Sequence, residues 1–488
     1  MRTSISHPLQ IAEIQPAAGS GKIGLTFCPG KKQNGAMTGA WDRDLELDFA
    51  MIDRWNAAAF VTLIEEHEME RLGVPRLGNA VKDGHMIWYY LPIRDASIPD
   101  RLFEQTWQAS GAELRAMLRD GFKVLVHCKG GLGRAGLVAS RLLIELGMDP
   151  AYAVKAVRAV RPGAIETTAQ FDYVMNLMPI AEPVPDTAHH ACEDRALGAM
   201  LGLAIGDATG TAFEFSPRDS RPRLEDMVGG GPFQLKPGQW TDDTAMALAL
   251  MDSLLAHPGL DEADLMARFT SWHEHGTYSC TGRCFDIGIT TRNALVRWQQ
   301  SGDPFAGSTN PRSAGNGSLM RLAPVAIRHW QDRVTLRDVA ARQSRTTHGA
   351  PEAVDACVAY AEVLADAIAG QPRSAVMRPR SGHYAGAIPG IMAGSWRGKH
   401  RDGIGSSGYV VHSLEAAMWC VGRTGNYLDA VLLAANLGED ADTTAAITGQ
   451  LAGALYGASG ISQVWKDELA WGDRLAEGAA LLHDASQA

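Results

Sequence analysis

Two groups of residues in this 488-residue chain have the types and spacing that chemistry requires, and the first surrounds a cysteine. In the sequence HCKGGLGRAG, five loop residues separate Cys128 from Arg134. Backbone N–H groups of a glycine-rich loop that opens into a helix bind anions, and the same field stabilises a thiolate. Arg134 adds a planar fork that can hold two phosphate oxygens. The pattern therefore predicts a cysteine nucleophile beside a phosphate cradle, as in a cysteine-dependent phosphatase.

The loop itself supplies the predicted phosphate contacts. These residues are His127, Lys129, Gly130, Gly131, Leu132 and Gly133. The loop glycines also satisfy the dinucleotide fingerprint G-x-G-x-x-G. That alternative expects an acidic residue at the end of a further strand about 20 residues on, whereas residues 148–160 have helical spacing. A dinucleotide loop also has no use for Cys128 and Arg134, so the phosphatase interpretation is favoured over the dinucleotide site and over an inert cysteine.

The second group consists of two acidic clusters about 200 residues apart, each at the start of a helix-like run. The clusters are Thr241, Asp242 and Asp243, and Asp440, Asp442 and Thr443. Helix capping alone needs only one such residue, whereas crowded carboxylates repel one another unless a cation lies between them. Hard oxygen ligands favour Mg²⁺ or Mn²⁺ over zinc. The clusters therefore predict one shared site for two Mg²⁺ or Mn²⁺ ions.

Composition restricts the class of protein further. A hydrophobic content of 46% with 20% charged residues is typical of a folded globular chain. A net charge of −10 argues against broad nucleic-acid binding. The first residues lack the pattern of a signal peptide, and the most lipid-like stretch, 445–461, is interrupted by Gln450. We therefore expect no membrane partner and a cytoplasmic location, which the seven unevenly spaced cysteines also favour.

The positions of strand-like and helix-like runs predict two domains. In the first third, strand-like runs at 59–64, 86–93 and 122–126 alternate with helical segments, which indicates an α/β domain with a mainly parallel sheet. Later segments are rich in alanine and leucine with helical spacing, which indicates an all-α bundle. The predicted divisions are an α/β domain at 1–181, a linker at 182–193 and an all-α domain at 194–488.

Within the helical domain, residues 371–408 are rich in Gly, Pro and Arg and are expected to form a long surface loop with solvated arginines. Cys280 and Cys284 lack a second pair at zinc-site spacing, so we interpret them as structural residues.

Residues 20–180 resemble the dual-specificity branch of the protein tyrosine phosphatases, most closely the cyclin-dependent kinase-associated phosphatases. The likeness is carried by the H-C-x5-R loop and by FCPGKK, YLPIRDASIPD and GAIETTAQFDYV. It implies that Asp95 protonates the leaving oxygen and that Gln170 helps to place the water. Asp100 is the alternative acid, but an aspartate after a proline is more typical of a turn or helix cap. Ala135 departs from the family, which usually has Ser or Thr there.

Residues 194–460 resemble the ADP-ribosylglycohydrolases, in particular the dinitrogenase reductase-activating type. The matching stretches include RALGAMLGLAIGDATGTAFEF, QWTDDTAMAL, SCTGRCFDIG, GNGSLMRLAPVAI, TTHGAPEAVDA and NLGEDADTTAAITG. The resemblance implies an all-α fold with two Mg²⁺ or Mn²⁺ ions held by the two acidic clusters. It also places Glu214 close to the metals, Asp286 near the scissile bond, and His348 and Tyr409 on the substrate side.

Simpler roles remain open for several of these residues. Glu214 could be a solvated loop acid, Asp286 a helix cap, and His348 a capping or core histidine. Ile289 stands where the family often has asparagine, which leaves the details of substrate contact open.

Together these patterns predict a bifunctional hydrolase. One domain would hydrolyse a phosphorylated protein or small molecule, and the other would release ADP-ribose from a modified protein side chain, most simply arginine, or from a small ADP-ribosyl compound. Cleavage at the anomeric carbon passes through an oxocarbenium-like state that a nearby carboxylate and metal-held hydroxyls assist. Two alternatives are an N-terminal module that binds phosphate without catalysis, and a C-terminal ADP-ribose sensor without turnover; the complete set of metal-ligand types argues against the sensor.

Overall fold

The computed structural model describes residues 1–36 and 39–486. The chain divides into two compact units, and each is described by itself. The first comprises Met1–Glu182 with Gly422–Gly425, and the second comprises Pro183–Val421 with Asn426–Ala488.

The first unit is built on a five-stranded sheet in the order β1-β2-β7-β5-β6, in which only the edge pair β1–β2 is antiparallel. The strands of this sheet are β1 (Ala12–Ile14), β2 (Ile23–Phe27), β5 (Ala57–Thr62), β6 (Ile87–Tyr90) and β7 (Lys123–Cys128). A separate antiparallel pair is formed by β3 (Lys32–Gln33) and β4 (Trp41–Asp42). All residues of β2 and β5 are buried, as expected of strands covered on both faces of a parallel sheet. The predicted mainly parallel α/β domain is confirmed.

Seven helices of the described residues belong to this unit. They are α1 (Leu45–Trp55), α2 (Glu66–Arg71), α3 (Leu77–Asp83), α4 (Arg101–Arg119), α5 (Gly133–Glu145), α6 (Pro150–Val160) and α7 (Thr168–Met175). Helix α5 follows the central strand β7 after a four-residue loop and is buried along its whole length. This strand–loop–helix unit positions the cysteine and the arginine singled out in the sequence.

The second unit is helical, which confirms the predicted all-α domain. Its helices are α8 (His189–Gly210), α9 (Asp242–Ala256), α10 (Glu262–His275), α11 (Ile289–Ser301), α12 (Ala323–His329), α13 (Arg333–Thr347), α14 (Pro351–Ile368), α15 (Arg373–Val376), α16 (Ile388–Met392), α17 (Val410–Arg423), α18 (Tyr427–Ala435), α19 (Ala441–Tyr456), α20 (Gln463–Glu468) and α21 (Gly472–Ala485).

Helices α8 and α19 pack with their backbones in close approach. Glycines recur at every fourth position of α8, at Gly198, Gly202, Gly206 and Gly210. A Cβ atom placed on Gly202 would lie 2.3 Å from the carbonyl oxygen of Gly449, so a larger residue would separate the helices.

The segment His189–Phe213 is long and apolar enough to cross a membrane, yet 89% of its most apolar window is buried within the protein, as in a core helix.

Helix α8 begins at His189, within the predicted linker at 182–193. The predicted surface loop at 371–408 contains α15 and α16 and buries Met392 and Trp396. Its arginines are not all solvated either, since the guanidinium of Arg401 forms two hydrogen bonds of 2.7 and 2.8 Å with Asp219. Isolated apolar residues without helical spacing anchor this stretch, which is why no periodic pattern revealed its burial.

Candidate active sites

The cysteine of the first unit lies at the carboxyl end of β7, where parallel strands commonly present ligand-binding loops. Cys128 is only 3% exposed, and the N–H of Gly131 donates to its Sγ at 3.2 Å. Gly131 has a φ of +69°, and a Cβ there would lie 2.5 Å from the backbone carbon of Thr26. Only glycine therefore fits at this point of the loop.

Two cations outside the loop hold its carbonyl groups. Arg161 donates to the carbonyl oxygens of Gly130 and Gly131, both at 3.0 Å, and the Nζ of Lys31 donates to that of Lys129 at 3.2 Å. Because peptide bonds are trans, carbonyls fixed toward these cations direct the following N–H groups to the opposite side. The loop is thereby organised as an anion cradle beside Cys128. Burial lowers the pKa of Lys31 to about 8.

Arg134 is held by a carboxylate that sequence reasoning missed. Its Nη1 and Nη2 donate to Glu68 of α2 at 2.6 and 2.9 Å, and Nη1 also donates to the carbonyl of Ile93 at 2.9 Å. Burial opposes ionisation of Glu68, but the hydrogen bonds from Arg134 outweigh it and lower the pKa of this carboxyl. Glu68 therefore fixes the direction of the guanidinium while the arginine remains next to the loop.

The two candidate acids of the first unit occupy different environments. Asp95 is 60% exposed and its Oδ1 lies 3.0 Å from Nη2 of Arg134, which places it beside the phosphate cradle. Asp100 instead caps α4, because its Oδ1 accepts a hydrogen bond from the N–H of Phe103 at 2.8 Å. The geometry favours Asp95 as the acid.

Three other predicted contacts are engaged elsewhere. His127 is buried beneath the loop with Nε2 3.0 Å from the hydroxyl of Thr62, and burial lowers its pKa to about 3. The N–H of Gly133 donates to Glu166 at 2.8 Å. Gln170 donates to the carbonyl of Ser97 and accepts from the N–H of Glu166, both at 3.0 Å. Gln170 thus joins the segment that carries Asp95 to the segment that supports the loop.

The acidic site of the second unit is organised by Asp207, in the last turn of α8. One carboxylate oxygen accepts from the N–H and the hydroxyl of Thr241, both at 2.9 Å, and the other accepts from the N–H of Thr244 at 3.0 Å and its hydroxyl at 2.6 Å. Asp207 therefore fixes the start of α9, where Asp242 and Asp243 lie.

The carboxylates gather into two groups that share one residue. Oxygen atoms of Asp207, Asp243 and Asp442 lie within 4.8 Å of one another, and so do those of Glu214, Asp440 and Asp442. The predicted clusters, which are far apart in sequence, are thus brought together, with Asp442 common to both groups.

The threonines and Glu214 hold these carboxylates in place. The hydroxyl of Thr443 donates to Oδ2 of Asp243 at 3.3 Å, and the hydroxyl oxygen of Thr241 lies 3.3 Å from the same atom. Glu214 accepts from the N–H of Ala441 at 2.9 Å, at the start of α19. Glu214 is buried, so it is not a solvated loop acid.

Seven carboxylates surround this site. The ion pairs found among the described residues involve other acids, so these seven have no cationic partner there. They are Asp207, Glu214, Asp242, Asp243, Asp286, Asp440 and Asp442. Burial together with neighbouring negative charge raises the pKa of Glu214, Asp242 and Asp243 far above their usual range. Oδ1 of Asp243 is buried and accepts no hydrogen bond within the described structure. This orphaned oxygen and the all-oxygen donor set fit Mg²⁺ or Mn²⁺.

A cavity of about 400 Å³ opens onto the acids. Asp286 lies on the cavity wall with a φ of +59°. Burial is the main cause that raises the pKa of its carboxyl to about 11, and the negative charge of Asp442 is the next largest. His348 also lines the cavity, with Nδ1 2.8 Å from the hydroxyl of Thr347 and a pKa lowered by burial to about 3. The hydroxyl of Tyr409 donates to Glu352 at 2.6 Å, and this tyrosine is outside the cavity lining.

Sequence reasoning missed Asp207 and Asn316 although both lie in stretches that carried the family resemblance. The Nδ2 of Asn316 donates to Asp440 at 2.5 Å and to Ser413 at 2.8 Å, so it orients a predicted metal ligand. The sequence signal that could have identified Asp207 is an acidic residue within an apolar helical run. Such a run is expected to be buried, and a carboxylate is rarely buried without a partner.

The buried carboxyl groups make the stability of the metal-free protein depend on pH. Burial and the charge of Asp442 raise the pKa of Asp207 and of Asp440 to about 7, from an ordinary value of 3.8. Between about pH 4 and pH 7 the folded state then binds more protons than the unfolded state, so stability must fall as pH rises through that window. We expect chelator-treated protein to melt at a lower temperature at about pH 8 than at about pH 5, with Mn²⁺ reducing the difference. A higher melting temperature at pH 8 in chelator would contradict this assignment.

Comparison with known proteins agrees with the helical site. The family model described as ADP-ribosylglycohydrolase matches residues 188–488. The ADP-ribosylarginine hydrolase Tri1 of Pseudomonas putida (strain GB-1) is 48% identical over 298 residues, which cover 60% of this chain and 78% of that protein. The solved structure of an ADP-ribosylglycohydrolase-related protein complex matches with a TM-score of 0.54 and 38% identity, over 60% of this chain and 99% of the other.

The first unit has its own matches. A family model described as Swiss Army Knife protein, DSP-PTPase phosphatase domain, matches residues 52–174. Cyclin-dependent kinase inhibitor 3 of Rattus norvegicus is 36% identical over 110 residues, which cover 22% of this chain and 50% of that protein. The chain therefore spans half of this relative. Both resemblances inferred from the sequence are confirmed.

Proposed function

Because this chain belongs to the ADP-ribosylglycohydrolase family through residues 188–488, we propose that its second unit removes ADP-ribose from modified arginine with the help of two Mg²⁺ or Mn²⁺ ions. The observation that carries this proposal is the set of buried carboxylates without cationic partners around one cavity. The substrate follows the relative that is named an ADP-ribosylarginine hydrolase. The direct test is release of ADP-ribose from ADP-ribosyl-arginine with and without added Mn²⁺.

The residues around the cavity have different roles in the proposed cleavage of the glycosidic bond. Bound Mg²⁺ or Mn²⁺ would polarise ribose hydroxyl oxygens and stabilise developing charge. Glu214 is fixed to the start of α19 by the N–H of Ala441, so it positions the site rather than moving a proton. Asp286 lies on the cavity wall and is the carboxyl that exchanges a proton with the leaving group or with water. His348 stays neutral and orients substrate through a hydrogen bond.

The first unit belongs to the dual-specificity phosphatase class of hydrolases, and we propose that it is catalytically active. Cys128 attacks phosphorus, Arg134 and the loop N–H groups hold the phosphate oxygens, and Asp95 donates the proton to the leaving oxygen. The carrying observation is that Arg134 contacts Asp95 while the loop carbonyls are fixed away from Cys128. A phosphate-binding module without catalysis would not need an exposed acid at this place.

Replacing Asp95 with asparagine should slow hydrolysis of phenyl phosphate, whose leaving oxygen needs a proton, by about 10²- to 10⁴-fold. The reason is that the leaving oxygen loses its proton donor while the phosphate cradle stays intact. Asp100→Asn is the matched control, because asparagine also caps helices well and should leave the rate almost unchanged. The reverse order of effects would assign the proton transfer to Asp100.

Ala135→Ser should accelerate steady-state turnover. In the phosphatases that this unit resembles, a hydroxyl after the arginine donates to the thiolate during breakdown of the phosphocysteine. Such a hydrogen bond to a charged group contributes about 1.5–3 kcal/mol, which corresponds to a roughly ten- to hundredfold rate effect. We therefore expect the natural protein to show a burst of product followed by a slow phase, which Ala135→Ser shortens. Progress curves that are linear from the first turnover in both proteins would contradict this role.

A further inference from the structure

A second cavity, of about 370 Å³, lies beside the loop that follows Cys128. Its lining residues are Lys32, Gln33, Asn34, His67, Glu68, Arg71, Leu72, Asp95 and Lys129. Among these described residues only Leu72 has a fully apolar side chain, and none carries a hydrocarbon aromatic ring. The lining therefore offers charged and hydrogen-bonding groups to a hydroxyl-bearing phosphate ester and no such ring to stack on a phosphoaryl group.

The charges of the cavity are unequally neutralised. The carboxylates of Glu68 and Asp95 are both paired with Arg134, at 2.6 and 3.0 Å respectively. Arg71 is exposed and has no ion-pair or hydrogen-bond partner among the described residues. Lys32 is also exposed, with its Nζ 3.4 Å from Asp42 in a solvent-accessible pair. Arg134 and Lys129, whose Nζ lies 3.9 Å from Oδ2 of Asp95, together balance the charges of Glu68 and Asp95. The charge of Arg71 is therefore left over on the side of the cavity formed by α2 and β3.

The position of Arg71 relative to the phosphate cradle follows from helix geometry. Glu68 and Arg71 are three residues apart on α2 and so lie on one face, about 5 Å apart at their Cβ atoms. Glu68 contacts the guanidinium of Arg134, so Arg71 is offset from the cradle by roughly one helical turn. The N–H of Lys32 donates to the carbonyl of Leu72 at 2.8 Å, which ties β3 to the end of α2, so Lys32 and Arg71 line the same cavity.

We propose that this cavity binds a second anionic group on the substrate, so that the first unit acts on hydroxyl-rich phosphomonoesters that carry a further phosphate, the class of sugar bisphosphates. Arg71 is the main ligand for the second phosphate and Lys32 assists it. The amides of Gln33 and Asn34 hydrogen-bond substrate hydroxyls, since they supply both donors and acceptors. This inference rests on the proposed phosphatase activity of the same unit.

Fructose 1,6-bisphosphate and fructose 6-phosphate are suitable probes, since they differ by one phosphate. We expect kcat/KM for phosphate release to be at least about tenfold higher for the bisphosphate, and Arg71→Gln to remove this preference. Arg76→Gln is the matched control, because Arg76 is an exposed arginine outside this cavity. Hydrolysis of p-nitrophenyl phosphate, which has no second anion, should be unchanged in both variants.

Calorimetry separates the subsite from catalysis. In the Cys128→Ser background, fructose 1,6-bisphosphate should bind about tenfold more weakly after Arg71→Gln than after Arg76→Gln. Equal affinities in these two proteins would overturn the proposal, and so would a higher kcat/KM for a phosphotyrosine peptide with flanking glutamates than for the bisphosphate. Absence of p-nitrophenyl phosphate hydrolysis by the natural protein would refute the phosphatase activity instead, and the calorimetric comparison would still decide the subsite.

Discussion

Asp442→Asn is expected to reduce ADP-ribose release from ADP-ribosyl-arginine by about 10³-fold or more. Asp442 is the residue common to both carboxylate groups. Its replacement should therefore weaken both of the cation sites that we propose. Loss of a single electrostatic contact to a reacting centre already costs about 10²- to 10³-fold. The measurement is the initial rate at saturating Mn²⁺, with release of p-nitrophenol from p-nitrophenyl phosphate as the internal reference that should not change.

The same substitution should have the opposite effect on stability without metal. Removing one charge from a group of mutually repelling carboxylates relieves repulsion, so chelator-treated Asp442→Asn should melt at a higher temperature than the chelator-treated natural protein. Its melting temperature should then respond little to Mn²⁺. Asp338→Asn, at a largely exposed position of α13, is the control and should preserve both the activity and the metal response. An Asp442→Asn protein that keeps the full Mn²⁺-induced stabilisation would show that the metals bind elsewhere.

Cys128→Ser is expected to lower phosphate release by more than about 10⁴-fold, the scale seen when an enzyme loses its nucleophile. A serine hydroxyl at this position would remain un-ionised, although Arg134 and the loop N–H groups still bind phosphate. ADP-ribose release should be unaffected. The measurement is hydrolysis of p-nitrophenyl phosphate under single-turnover and steady-state conditions.

Cys28 offers a matched control in the same unit. It is fully buried, and burial raises the pKa of its thiol well above the usual range, so it has no nucleophilic role. Cys28→Ser should retain phosphatase activity. If instead Cys28→Ser is inactive and Cys128→Ser is active, the assignment of the nucleophile is wrong.

The predictable part of the sites was local in sequence. Cys128 and Arg134 are joined by one loop, and the glycines of this loop predict an anion cradle. The clusters that begin at Thr241 and Asp440 each lie at the start of a helix. The supporting partners depend on contacts between distant segments. Arg161 reaches Gly130 across 31 residues, and nothing in the local pattern around that arginine indicates its target.

Burial also changed the interpretation of residues whose identity was correctly noticed. The ring of His127 lies on the buried side of β7 against Phe60, so a residue expected to contact phosphate instead packs in the core. The stretch 371–408 was misread because its short helices and single anchors such as Trp396 leave no periodic signal. In both cases the tertiary environment, which sequence spacing does not encode, decided the role.

We propose that one chain carries two hydrolases with independent chemistry, one with Cys128 as nucleophile and the other with a metal pair held by carboxylates. Both reactions can be followed in parallel on the natural protein, as phosphate release and ADP-ribose release, after separate treatment with a metal chelator and with orthovanadate, an analogue of phosphate. We expect the chelator to stop only ADP-ribose release and vanadate to stop only phosphate release. Loss of both activities with either reagent, or persistence of ADP-ribose release at the original rate after the metals are removed, would contradict it.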